Sequence, residues 1–265
     1  INWSRNSTDS LNLYAFKTDI AGALGITGIS TAAINYGVPQ INYTNFTDLN
    51  DPVPALRHNQ TFRYTDTVSF LHAKHTIRGG GEIRRMQINT QNDPTARGSF
   101  TFTGLMTSQL DAAGNPVQGT GYDFADFLLG LPQSTNVRFG SSNTYFRSWG
   151  FNLYAQDDWR LHPRFTLTYG LRYELQTPPI ELFNKLANLD MNNTITAVAT
   201  VLPGQTSPFH GKFPRALVHG DYNNWSPRLG IAWRVPGKWK RGQGMSFRTG
   251  YGMFHNLSIY NQLAA

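Results

Sequence analysis

Between residues 165 and 175 the chain reads FTLTYGLRYEL, and apolar and polar positions alternate without a break. Phe165, Leu167, Tyr169, Leu171, Tyr173 and Leu175 fall on one side. Thr166, Thr168, Gly170, Arg172 and Glu174 fall on the other. A period of two over this length predicts a β-strand with one dry face and one wet face. The same pattern recurs at 225–235, where Leu229, Ile231 and Trp233 oppose Arg228 and Arg234, and at 146–160, where Phe151, Leu153, Ala155 and Trp159 align. Residues 61–72 place Phe62, Tyr64, Val68 and Phe70 on one face, interrupted by Asp66. A turn at Ala73-Lys74 leads into a return strand at 75–89, and the glycines at 79–81 suggest a bend there. Shorter strands are expected at 98–103 and 134–140, and a return strand at 246–255. The only plausible helix is YDFADFLL, 122–129.

The connections differ sharply in length. Those at 73–74, 161–163 and 236–244 are short. Residues 6–59 and 177–224 are long and rich in Asn, Thr, Gly and Pro, and connections of that length are usually functional. Counting strand directions places both long segments at one end of the sheet and the short turns at the other, which is the asymmetry of outer-membrane barrels. Residues 104–133 count awkwardly to the short-turn end.

Composition fits an all-β chain: aromatics make up 13% of the 265 residues, with 25 Gly, and only 15% are charged. Mean hydropathy is −0.39, and no apolar run approaches the roughly 18 residues of a membrane helix. A protein crossing the membrane by strands shows the same low hydropathy, because half of each strand is polar. The dry faces therefore touch either lipid or a second sheet. Strand length and the Tyr and Trp on those faces (Trp159, Tyr169, Tyr173, Trp225, Trp233) suit the interfacial girdles of a barrel, while a soluble sandwich remains the alternative. The absence of cysteine excludes disulfides and thiolate metal sites. The net charge of +7 includes a basic cluster at 236–244, flanked by Gly and Pro as in a solvated turn, so no nucleic-acid partner is expected.

Several motifs occur in order: KHTIRGGGEIRR (74–85), FADFLLGLP (124–132), YFR (145–147), YAQDDWR (154–160), LRYE (171–174), NNWSPRLG (223–230) and RTGYGMF (248–254). Together they resemble TonB-dependent outer-membrane receptors of the Oar-like group, which carry an N-terminal carboxypeptidase-regulatory-like domain. The resemblance implies a bacterial outer-membrane location and an antiparallel up-and-down transmembrane β-barrel of roughly 22 strands with a plugged lumen. This chain would supply about eight or nine strands from the middle of the wall, with the plug and the closing strands outside it. The implied partners are outer-membrane lipid, the TonB energy-transducing complex acting through the plug, and a large ligand (saccharide, peptide or metal chelate).

On that reading Phe165, Leu167, Tyr169, Leu171, Tyr173, Leu175, Leu229, Ile231 and Trp233 face lipid, and Arg172, Glu174, Arg228 and Arg234 face the lumen. Ligand contacts would come from loop aromatics: Tyr36, Tyr43, Phe46, Phe183, Phe209, Phe213 and Tyr222. No enzyme activity, cofactor or metal is expected. His72 and His75 lack a third ligand at suitable spacing. Asp157 and Asp158 point to opposite faces of a strand and cannot share one cleft. The apolar patch at 122–132 is read as local packing. The alternative function is a soluble secreted β-sandwich that binds glycans.

Overall fold

The computed structural model describes residues 1–235 and 245–256. Its strands in chain order are β1 Asn2–Ser10, β2 Gln40–Tyr43, β3 Ala55–His72, β4 His75–Asn92, β5 Ser99–Phe102, β6 Ser134–Asn136, β7 Thr144–His162 and β8 Phe165–Gln176. They continue with β9 Ile180–Glu181, β10 Asn188–Met191, β11 Val198–Val201, β12 Thr206–Ser207, β13 Gly211–Lys212, β14 Trp225–Arg234 and β15 Ser246–Gly252. Two short helices are present, α1 Ile20–Ala23 and α2 Asp123–Leu128. No described helix is long and apolar enough to cross a membrane, which says nothing of crossing by strands.

The chain forms two compact units. The first contains Ile1–Asn6, Asn59–Ile88 and everything described from Thr144 onward; the second contains Ser7–His58 and Asn89–Asn143. The main sheet has eight strands in the order β1-β3-β4-β7-β8-β14-β15, with β9 pairing to β7. Long strands follow one another in space as they do in sequence, so the sheet is an antiparallel meander with β1 and β15 at its edges. β3 and β4 have 18 residues each and β7 has 19, well beyond the roughly five or six of an ordinary strand.

Two expectations about this sheet are corrected. The segments at 98–103 and 134–140 are not wall strands. β5 pairs in parallel with β2 and antiparallel with β6, in a separate three-stranded sheet within the second unit. Residues 93–143 are therefore one excursion between β4 and β7. This excursion leaves from the same strand ends as the other two long connections, and the awkward count disappears. The glycines at 79–81 lie inside β4, which runs through them. They make room: a Cβ on Gly80 would lie 2.8 Å from the Tyr154 ring and 2.7 Å from the Asp66 carbonyl oxygen. The edge strand β1 also reaches Ser10, five residues into what the sequence suggests is loop. The basic turn at 236–244 lies outside the described residues.

Within 177–224 the chain folds back on itself. β10 pairs with β11 and β12 with β13, over a small core of Val201, Phe213 and Leu217 joined by Leu186. In the second unit α2 packs Phe127 against Phe102 (ring centroids 5.4 Å apart) and Tyr43 (5.6 Å).

Candidate functional site: the two faces of the long sheet

Register settles which residues share a face. β8 and β14 align Leu171 with Pro227, Tyr169 with Leu229, Leu167 with Ile231 and Phe165 with Trp233. β7 adds Phe151 opposite Leu175, Leu153 opposite Tyr173 and Trp159 opposite Leu167. β15 adds Tyr251 opposite Leu229 and Phe247 opposite Trp233. All nine residues assigned to the apolar stripe thus lie on one face. That face is uncovered: Leu153 is 61% exposed, Leu171 46%, Leu229 48% and Tyr251 66%. A sandwich would bury these side chains between two sheets, and among the described residues no sheet covers them.

Aromatics gather at both ends of the stripe. Near the long connections Tyr173 lies 4.6 Å from Trp225 and Trp149 stacks on Phe151 at 6.1 Å. The Tyr173 hydroxyl donates to the Tyr222 carbonyl at 3.0 Å. Near the short turns Trp159 stacks on His75 at 5.1 Å. From Trp225 to Trp233 the strand advances by roughly 26 Å at about 3.3 Å per residue. After tilting this approaches the roughly 25 Å apolar band of a membrane barrel.

Polar groups interrupt this face: Thr249 of β15 lies opposite Ile231, and a carboxylate lies near the short turns. Asp157 lies on the apolar side, opposite Tyr169, and is buried. Tyr169 donates its hydroxyl to Asp157 at 2.9 Å, and His75 Nδ1 lies 2.6 Å from the same carboxylate oxygen. The carboxylate is sheltered under aromatic rings near the strand end, where an interfacial polar cluster costs least. Asp158 points to the other face and accepts from Thr168 at 2.7 Å, so the adjacent acids do not share a site. His72 stacks on Phe70 at 6.0 Å and is not drawn into the His75 cluster. Among the described residues no group of three or more acidic or histidine side chains is placed to hold a metal ion.

The polar face carries the charges. Arg172 and Glu174 stand side by side and pair at 2.5 Å. Arg78 reaches Asp158 at 3.2 Å, and Arg63 Nε donates to Glu82 at 2.5 Å. The Asn152 amide adds a bond to Glu82 at 3.3 Å. Arg228 opposes Gly170 on the same face, and Arg234 follows it near the short turn. The sequence candidates Arg172, Glu174, Arg228 and Arg234 therefore share one face. Arg63, Arg78, Glu82, Arg84 and Asp158 were missed. The signal for Arg63 was present: it alternates with Phe62 and Tyr64.

The loop aromatics scatter. Tyr43 and Phe46 belong to the ring cluster of the second unit, where Phe46 lies 5.6 Å from Phe124 and 5.7 Å from Tyr122. Tyr36 follows a single 3-10 turn and is half-buried. Phe183 packs its edge on Tyr145 at 5.4 Å while remaining 64% exposed. Phe209 and Tyr222 are exposed. Phe213 is 9% exposed and belongs to the small loop core, so it is not offered to a ligand. Phe124 and Phe127 of the 122–132 patch pack locally, whereas Leu128, Leu129 and Leu131 point out.

Polar groups organise both sets of loops. Asp190 is buried in the 177–224 segment, where Ser207 and His210 donate to its carboxylate. Burial pushes its carboxyl up, but these hydrogen bonds outweigh burial and hold it below the usual range. Arg97 in the second unit donates to the Asp51 carbonyl at 2.9 Å.

Comparison with known proteins places this geometry in a family: residues 1–264 match the family described as Outer membrane beta barrel domain. No curated protein matches the chain, and no solved structure matches it.

Proposed function

Because the chain belongs to the Outer membrane beta barrel domain family and has its place in the bacterial outer membrane, we propose that it forms part of the wall of a TonB-dependent receptor. Its apolar face meets lipid and its polar face lines a lumen. A large ligand, a saccharide, peptide or metal chelate, passes along that lumen when the TonB complex moves a plug. The exposed aromatics of the long connections, Phe46, Phe183, Phe209 and Tyr222, make first contact with the ligand. The wall acts by positioning and passage and performs no chemical step.

One observation carries the reading. A sheet of long strands exposes an apolar stripe with aromatic ends on one face, interrupted by Asp157 near the short turns, and places arginine–carboxylate pairs on the other. A sheet with a hydrocarbon solvent on one side and water on the other stabilises both faces at once.

Site-directed labelling tests the wall. The 265 residues contain no cysteine, so single cysteines replacing Leu171, Leu229, Thr168 or Ala232 carry a fluorophore at a known place. In reconstituted vesicles a lipid-borne quencher should dim labels at 171 and 229 and spare those at 168 and 232. The reverse pattern, or equal quenching of both sets, would refute the assignment of faces. The transport step is tested in cells by accumulation of a panel of saccharides, peptides and metal chelates with and without TonB. Accumulation that persists undiminished without TonB leaves a passive barrel.

A further inference from the structure

The polar face of β8, β14 and β15 is nearly bare at its centre. Gly170 opposes Arg228, Arg228 opposes Gly252, and Gly230 opposes Gly250. Arginines stand around this floor: Arg172 opposite Ser226, Arg248 opposite Ala232 and Arg234 opposite Ser246. A hollow of about 140 Å³ opens between β7, β8 and β14, with Tyr154, Gln156, Gly170, Arg172 and Arg228 in its lining.

One feature of the hollow and one of the face beside it are unexplained by folding alone; Gly170 itself is required by packing, since a Cβ there would meet the Ala155 carbonyl oxygen at 2.9 Å. The first is charge. The acids of this face, Glu82, Asp158 and Glu174, are already paired with Arg63, Arg78 and Arg172. Among the described residues no carboxylate pairs with Arg228, Arg234 or Arg248. Nε of Arg172 and of Arg228 are both buried without a hydrogen-bond partner, and the Arg228 guanidinium is held 5.0 Å above the Phe254 ring. The second is bareness. Glycine inside a strand costs roughly 0.5–1 kcal/mol relative to alanine. A Cβ on Gly230 would meet nothing closer than the Thr168 Cβ at 3.5 Å. Packing does not demand glycine at that position.

Both features suit a bound anion. Guanidinium forks match the paired oxygens of carboxylate and phosphate, which the point charge of lysine does not, and every cation bordering this floor is arginine. A glycine floor lets a ligand approach the backbone closely. We propose that this face is an anion-binding subsite that takes a carboxylate or phosphate group, held by Arg228 and Arg172 over Gly170. The proposal rests on the lumen reading for its role, since a lumen presents such a site to solutes in transit.

The full-length protein, purified from outer membranes in detergent, is titrated calorimetrically with pyrophosphate and separately with citrate, against a chloride background. At least one should bind, and the one that binds identifies the group recognised. Arg228→Gln should weaken binding tenfold or more, and Arg228→Lys should fall between it and the native protein. Gly230→Leu keeps every arginine but crowds the hollow from the adjoining row of the same face, and it should weaken binding while leaving the unfolding temperature nearly unchanged. Failure of both probes to bind overturns the proposal, as does binding that survives both Arg228→Gln and Gly230→Leu. The quencher experiment separates this from the lumen reading. Anion binding with the wrong quenching pattern leaves the subsite standing without a lumen, and the right pattern without anion binding sinks the subsite alone.

Discussion

Asp123 illustrates how single polar residues organise the second unit. It is fully buried at the start of α2. Its carboxylate accepts the Asn45 backbone N–H at 2.6 Å and its neighbour Phe124 N–H at 2.9 Å, which ties residue 45 to a helix 78 positions later. Burial pushes the carboxyl up, but the bonds from Asn45, Phe124 and Thr44 outweigh burial and hold it below the usual range. A depressed folded value means the group stabilises the fold fully above the unfolded value of about 4. That contribution is lost as pH falls through the folded value. Hydrogen exchange should therefore show the Asn45 amide protected at pH 7 and progressively opened below about pH 4. Asp123→Asn should open it at pH 7 as well. An amide equally protected at both pH values in the native protein would show that the carboxylate is not the clamp.

At the scale of the element, face decides tolerance. Ile231 lies mid-strand on the apolar stripe and Thr168 on the polar side of the neighbouring strand. Ile231→Arg should destabilise the folded protein in lipid by about 2–4 kcal/mol, the cost of a cation at the midplane. Thr168→Arg should cost well under half as much, because its side chain meets water. Equilibrium unfolding in urea from lipid vesicles checks the difference, and equal penalties would contradict a lipid-facing stripe. Glycines in strands divide the same way. Gly80 is required, since a Cβ there would collide with the Asp66 backbone and the Tyr154 ring, whereas Gly230 is not.

At the scale of the molecule, the meander alternates long connections (11–54, 93–143 and 177–224) with short ones (73–74, 163–164 and 235–245). Successive antiparallel strands put all three long connections at one end of the sheet. In outer-membrane barrels the longer loops are extracellular and the turns periplasmic. Protease added to intact cells should therefore cut within the long connections and spare the turn at 73–74. Cleavage at that turn, with the long connections intact, would invert the topology. The second unit, with its own three-stranded sheet and aromatic cluster, shows that two of the long connections are folded structure and more than spacer.

The sequence alone determined the wall. Period-two alternation is a local property, because a strand cannot present its side chains in any other way. The stripe at 165–175, its partners at 151–159 and 229–233, and the Arg and Glu opposite them were all legible without coordinates. The opposite directions of Asp157 and Asp158 followed from the same rule. What the alternation could not reveal was which strand pairs with which. Whether SFTF at 99–102 joins the wall or a separate sheet depends on hydrogen bonds to residues nearly sixty positions away. The anion hollow is invisible for the same reason: Tyr154, Gln156, Gly170, Arg172 and Arg228 become neighbours only when register brings three strands side by side. Burial likewise is decided by the whole fold, which is why Phe213, one aromatic among many in a polar loop, turned out to be core. Pattern along the chain is set by backbone geometry residue by residue, but adjacency across it is set by packing that no single segment contains.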